Sequence, residues 1–167
     1  MNKNAAYYIK QLGLTQHVEG GAYRETYRSE CILDTKTLTN AFSGPRNAST
    51  AIYFLLSYGE FSAFHKIASD ELWHFYTGNK LTIYEIETNG NLITHKLGSN
   101  TDMGETFQCV VKAGNWFGSR CEIENGFSLA GCTVAPGFDF SDLALADKNI
   151  LSAQYPLHRL LIESMCY

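Results

Sequence analysis

From Ala22 to Ala135 the chain is a succession of short apolar or alternating runs, each cut off within a few residues by glycine or asparagine, and this punctuation limits the fold more than any other feature. Ala22 to Arg28 alternates, with Tyr23, Glu25 and Tyr27 on one face and Arg24, Thr26 and Arg28 on the other, as a pleated strand requires. Thr50 to Tyr58 is too apolar for a one-sided strand and is expected to be buried on both faces. Further runs follow at 61–66, 71–77, 80–87, 92–97, 107–112, 116–123 and 127–135. Asn89-Gly90 and Asn125-Gly126 suit the positive φ of tight hairpin turns and predict hairpins. Many short strands at close spacing mean a barrel or sandwich. Helices bracket this region. Asn4 can cap a helix running to Leu12, with Gly13 as its left-handed stop. After Pro136 a helical pattern returns, with Leu157, Leu160, Leu161 and Met165 spaced as one apolar stripe. No repeat or linker interrupts the chain, so residues 1–167 read as one domain.

A chain of 167 residues can bury roughly 70% of its unfolded surface. With 45% hydrophobic and 18% charged residues, disorder is excluded for most of it. The net charge of −4 and the lack of any basic block argue against nucleic acid as a partner. No run approaches the ~20 apolar residues that span a bilayer, and the start has no continuous apolar stretch of a secretory signal. No membrane partner and a cytoplasmic location are the expectation. Cys31, Cys109, Cys121, Cys132 and Cys166 form no CxxC pair, which fits packed thiols in a reducing compartment. There the Asn47-Ala48-Ser49 triplet is inert as a glycosylation acceptor.

The phosphate-cradle, nucleophile-elbow and helical zinc motifs are all missing. Gly126-Phe127-Ser128-Leu129-Ala130-Gly131 comes near the elbow, but its second glycine falls one residue late. The informative segment is Gly59 to Gly78. Its first strand carries Phe61, Ala63 and His65 on one face, and its second carries Glu71, Trp73 and Phe75 on one face. An imidazole and a carboxylate on adjacent strands, framed by aromatics, make a polar cluster suited to a barrel mouth. Such a pair can ligate a metal or trade protons with a bound molecule.

Gly59, His65, Glu71 and Gly78 resemble the first motif of the cupin superfamily, G(X)5HXH(X)3,4E(X)6G, with Ile67 at its second histidine. The second motif is matched only at Gly114, and Phe117 stands where its metal-ligating histidine would be. Longer blocks resemble a short single-domain cupin family of unknown function. They are Glu19-Gly20-Gly21 with Tyr23 to Tyr27, Ser49 to Tyr53, Ser69 to Tyr76, and Gly131 to Phe140. The resemblance implies a mainly β chain, a double-stranded β-helix or cupin jelly roll similar to that of sugar-nucleotide epimerases. It further implies a homodimer with a small-molecule cavity in the barrel.

Several residues are candidates for that cavity. His65 is read as general acid or base and Glu71 as the group that orients it or shares its proton. Glu25 is either a second cavity carboxylate or the partner of a nearby arginine. Tyr53 and Trp73 either stack on a ligand or fill the core. Gln108 could supply an amide beside His65. On a regular strand His74 faces away from Glu71, so it reaches the same cavity only through a bulge. The Pro136 to Phe140 block reads as a turn that tucks the tail against the barrel. Three functions stay open: an isomerase, epimerase or lyase acting on a carbohydrate-like or other polar metabolite; a divalent-metal enzyme built on His65, Glu71 and His74; and a ligand-binding module without catalysis. With two of the four usual ligands replaced by Ile67 and Phe117, the metal-free reading is preferred.

Overall fold

Thirteen strands and three helices make up the fold of residues 3–167, which the computed structural model describes; Met1 and Asn2 lie outside them. Helix α1 spans Ala5–Leu12. Asn4 caps it by accepting a bond from the Tyr7 amide, and Gly13 ends it at φ 62°. The strands are β1 (Thr15–Gln16), β2 (Ala22–Arg28), β3 (Ile32–Leu33), β4 (Arg46–Asn47), β5 (Thr50–Ser57), β6 (Phe61–Lys66) and β7 (Asp70–Gly78). They continue as β8 (Leu81–Ile86), β9 (Leu92–Leu97), β10 (Gln108–Val111), β11 (Trp116–Cys121), β12 (Phe127–Ala135) and β13 (Ala144–Leu145). Helices α2 (Lys148–Gln154) and α3 (Arg159–Ser164) close the chain.

Two antiparallel sheets face each other as a jelly roll. One has the order β1-β2-β5-β12-β7-β10 and the other β13-β6-β11-β8-β9; β3 and β4 form a separate ribbon. Consecutive strands mostly alternate between sheets, so most turns are arches and not hairpins. Asn89-Gly90 does close a hairpin between β8 and β9. Asn125-Gly126 does not: β11 and β12 lie in different sheets, and Asn125 at φ 57° bends the chain across the barrel. The positive-φ chemistry was read correctly, while its partner strand is set by tertiary packing.

The faces follow the pleat. On β5, Phe54 and Leu56 point between the sheets, and Leu55 points outward under α1 with Leu129. All three are at most 3% exposed, so the strand is buried on both faces in its middle. Trp73, Ile83, Phe117 and Cys132 join the inter-sheet core. The C-terminal helices cover the other sheet through Leu151, Ile162 and Met165, packed on Phe64 and Ile86. The tail stripe therefore differs from the expected one: Leu157 and Leu160 are 93% and 83% exposed. The break between α2 and α3 at Pro156 resets the helical phase and turns Ile162 inward in their place.

Strand β2 departs from simple alternation. Its pairing with β5 slips between Glu25 and Tyr27. This bulge places Arg28 on the same side as Tyr23 and Glu25 and leaves Tyr27 exposed.

Candidate functional site

A cavity of about 220 Å³ opens at one end of the space between the sheets. At ~30 Å³ of liquid volume per water, it holds one small molecule. Its walls are largely apolar, from Ile52, Phe54, Ile67, Trp73, Val134 and Phe138. Two histidines and two carboxyl side chains converge within it: His17, Glu19, His65 and Glu71. Arg24, Glu25 and Arg28 stand at its mouth.

His65 and Glu71 both line the cavity, as expected, but they come from opposite sheets. β6 pairs with β11 and β13, whereas β7 pairs with β12 and β10, so the two residues face each other across the interior. The carboxylate nearest His65 is Glu19. His65 Nε2 stands 3.4 Å from Glu19 Oε1, and the Ser62 hydroxyl donates to Glu19 Oε2 at 3.1 Å. His65 Nδ1 lies 2.7 Å from the Ala63 carbonyl. A carbonyl only accepts, so Nδ1 carries a proton. In the neutral ring Nε2 then presents a lone pair toward Glu19, so the two groups can bond to each other only through a proton placed between them. Phe117 packs on the His65 ring with centroids 4.0 Å apart and fixes its plane.

Glu19 reaches this position through the turn that follows it. Gly20 and Gly21 have φ of 107° and 72°, values that only glycine adopts readily. A Cβ on Gly20 would lie 2.1 Å from the Phe61 carbonyl oxygen. The turn is stitched to β6 by the Ala63 amide, which donates to the Glu19 carbonyl at 2.8 Å, and to the chain end by the Tyr167 hydroxyl, 3.1 Å from the same carbonyl.

Glu71 is 8% exposed. Burial pushes its carboxyl up to about 8, and the charge of Glu19 pushes the same way. The Cys132 thiol and the Trp73 indole favour the ionised form without offsetting that cost. The indole N–H leans toward Glu71 but closes no hydrogen bond. His17, 8% exposed, is pushed down by burial, with Glu19 opposing; the imidazole is held toward its neutral form.

The other expected site residues divide. Glu25 lines the mouth and is also paired with an arginine: Arg28 Nη2 and Nε donate to its carboxylate at 2.6 and 2.9 Å. Trp73 lines the cavity, edge-on to Phe54. His74 and Gln108 do not enter the cavity. The bulge between β12 and β7 falls beyond His74, at Leu129/Ala130, so His74 stays on the outer face of the sheet. There its Nδ1 meets the Gln108 amide at 2.8 Å and its Nε2 the Thr133 hydroxyl at 3.1 Å. Tyr53 is on that face too, edge-on to Tyr76. The Pro136 to Phe140 turn packs as expected and in addition contributes Phe138 and Phe140 to the cavity wall. Cys132 lines the cavity, and Cys31 is exposed, so the thiols are not uniformly packing residues.

The divalent-metal reading does not fit these residues. Ile67 and Phe117 offer no donor atom, and His74 is across the sheet from Glu71. Among the described residues, no three His, Cys, Asp or Glu side chains converge at metal-binding geometry.

Reading the sequence missed His17 and Glu19. Both lie beside a two-residue strand too short for periodicity to register. The usable signal was Gly20-Gly21, a double glycine that lets a turn press against other backbone.

Comparison with known proteins agrees with the fold. The family described as Cupin_5, cupin superfamily (DUF985), matches residues 6–146. An uncharacterized protein of Saccharomyces cerevisiae is 33% identical over 144 residues, 80% of this chain and 71% of its own length. A crystal structure of a Shewanella oneidensis protein superimposes with a TM-score of 0.88 at 43% identity, covering 98% of each chain. A hypothetical protein from Leishmania major gives 0.89 at 31% identity, covering 98% of this chain and 99% of that one. Oxalate decarboxylase from Bacillus subtilis shares the fold alone, with a TM-score of 0.54 at 12% identity over 90% of this chain and 36% of that one. Among the described residues no helix is long and apolar enough to cross a membrane.

Proposed function

The chain belongs to the Cupin_5 family of the cupin superfamily (DUF985), and on that premise we propose that it binds a small polar metabolite between its sheets and moves a proton on it. The reaction class is isomerase, epimerase or lyase, and the substrate is carbohydrate-like or a comparable polar molecule. One observation carries the reading: His65 Nε2 and Glu19 Oε1 stand 3.4 Å apart at the cavity wall, while Nδ1–H is anchored on Ala63. Such a pair can carry a proton to, or take one from, a ligand atom placed against it.

In this arrangement Glu19 takes the partner role first assigned to Glu71. Glu71, held protonated at neutral pH by burial and by Glu19, serves as a hydrogen-bond donor on the opposite wall. The aromatic walls exclude water and hold the apolar edges of the ligand.

The test is deuterium exchange. The protein is incubated in D2O with a panel of aldoses, ketoses and hydroxyketones, and deuterium entering the carbon next to the carbonyl is followed by NMR. Catalysed exchange that drops by about 10²–10⁴-fold in His65→Ala, the range for a general acid–base group, supports the proposal. Exchange unchanged in His65→Ala contradicts it.

A further inference from the structure

His17 points to the chemistry of the ligand. Its side chain is 7% exposed and packed by Tyr23, Phe54 and Phe140, with ring centroids at 4.4, 6.2 and 6.2 Å. The Glu19 backbone N–H donates to its Nδ1 at 3.4 Å. Nδ1 is therefore an acceptor, and the neutral ring carries its proton on Nε2. The Glu19 carboxylate lies 3.5 Å from Nδ1, but a proton on Nδ1 would leave the Glu19 backbone N–H without its acceptor. His17 lines the cavity, and its Nε2–H donates to no protein acceptor among the described residues.

We infer that His17 Nε2–H is a ligand-binding donor, and that the molecule it grips is an uncharged carbonyl or hydroxy compound presenting an oxygen to it. The inference deepens the proposed function and rests on its reading of the cavity as a ligand site. The charges around the cavity support the class. Glu19 and Glu71 are its buried acidic groups, and its arginines, Arg24 and Arg28, stand at the mouth, with Arg28 already tied to Glu25. An anion seated deep would meet the Glu19 carboxylate with no fixed cation beside it. An ammonium would need acceptors where His17 and the protonated Glu71 present donors. An uncharged oxygen suits both donors.

The experiment is an NMR titration of 15N-labelled protein, following the histidine side chains with three probes of similar size: dihydroxyacetone, acetate and methylammonium. Dihydroxyacetone is expected to shift His17 Nε2 saturably and to bind more tightly than either ion. His17→Phe, which keeps the ring and loses the N–H, should weaken it about three- to tenfold, as for one hydrogen bond. His17→Gln, whose amide can reach the same position, should restore most of that loss. Tighter binding of acetate or methylammonium overturns the inference, and so does equal affinity for dihydroxyacetone in His17→Phe. If His17→Phe does not fold, the His17 shift in the unaltered protein decides. Because binding is the readout, a protein that grips dihydroxyacetone through His17 but catalyses no exchange keeps this inference and loses the proton-transfer reading. Ligand shifts at His65 with His17 unmoved do the reverse, and no shift at any cavity residue overturns both.

Discussion

Glu71 is the residue whose cost to the fold can be measured apart from any ligand. Its carboxyl rises from an ordinary 4.5 to about 8 on folding. A raised folded value means that the folded state holds the proton more tightly than the unfolded chain. Glu71 therefore contributes most below pH 4.5, and its contribution falls as pH rises through 4.5 to 8. At about 1.36 kcal/mol per unit, the whole span amounts to a few kcal/mol. Glu71→Gln removes the titration. Thermal unfolding at pH 5.5 and pH 8.5 should show the variant gaining on the unaltered protein at the higher pH; parallel profiles would contradict the buried, protonated carboxyl. His65 and Glu71 were legible in the sequence because four residues matched a known spacing. Glu19 was quoted there only as part of a glycine-rich block, since nothing in local spacing tells which carboxylate an imidazole meets across a barrel.

At the scale of elements, the glycines separate two kinds of close approach. Gly20 combines φ of 107° with a backbone oxygen 2.1 Å from its missing Cβ. Backbone cannot move aside, so Gly20→Ala should cost at least the ~1–3 kcal/mol of a strained conformation and pull Glu19 from His65. Gly131 lies under the Tyr76 ring, whose hydroxyl would be 2.3 Å from a Cβ, but Tyr76 is 51% exposed and free to swing. Gly131→Ala should cost clearly less. Urea denaturation of the two variants checks the order, and equal losses would contradict it. The strands themselves were well marked, because period-two patterning encodes which side chains share a face. It does not encode the partner strand, which is why Asn125-Gly126 was read as a hairpin and why the bulge that brings Arg28 beside Glu25 left no trace in the pattern.

At the scale of the molecule, two sheets leave one end of their shared interior unfilled, and His17, Glu19, His65 and Glu71 gather there. A ligand bound only by the folded chain raises its stability by about 2.7 kcal/mol at a hundred times its Kd, so metabolites of the right class should raise Tm. Zinc, manganese, iron and nickel ions should not, nor should a chelator lower it, because Ile67 and Phe117 occupy the ligand positions and His74 lies outside. A metal-dependent rise in Tm lost in His65→Ala would contradict this. The central claim is that the polar end of the inter-sheet cavity is the binding site. A crystal structure of the protein soaked with dihydroxyacetone tests it most directly. The account predicts density between the sheets, with an oxygen against His17 Nε2 and the carbon skeleton beside His65 and Glu19. Density confined to the outer face of the sheet at His74, Gln108 and Tyr76, with the cavity empty, would contradict it.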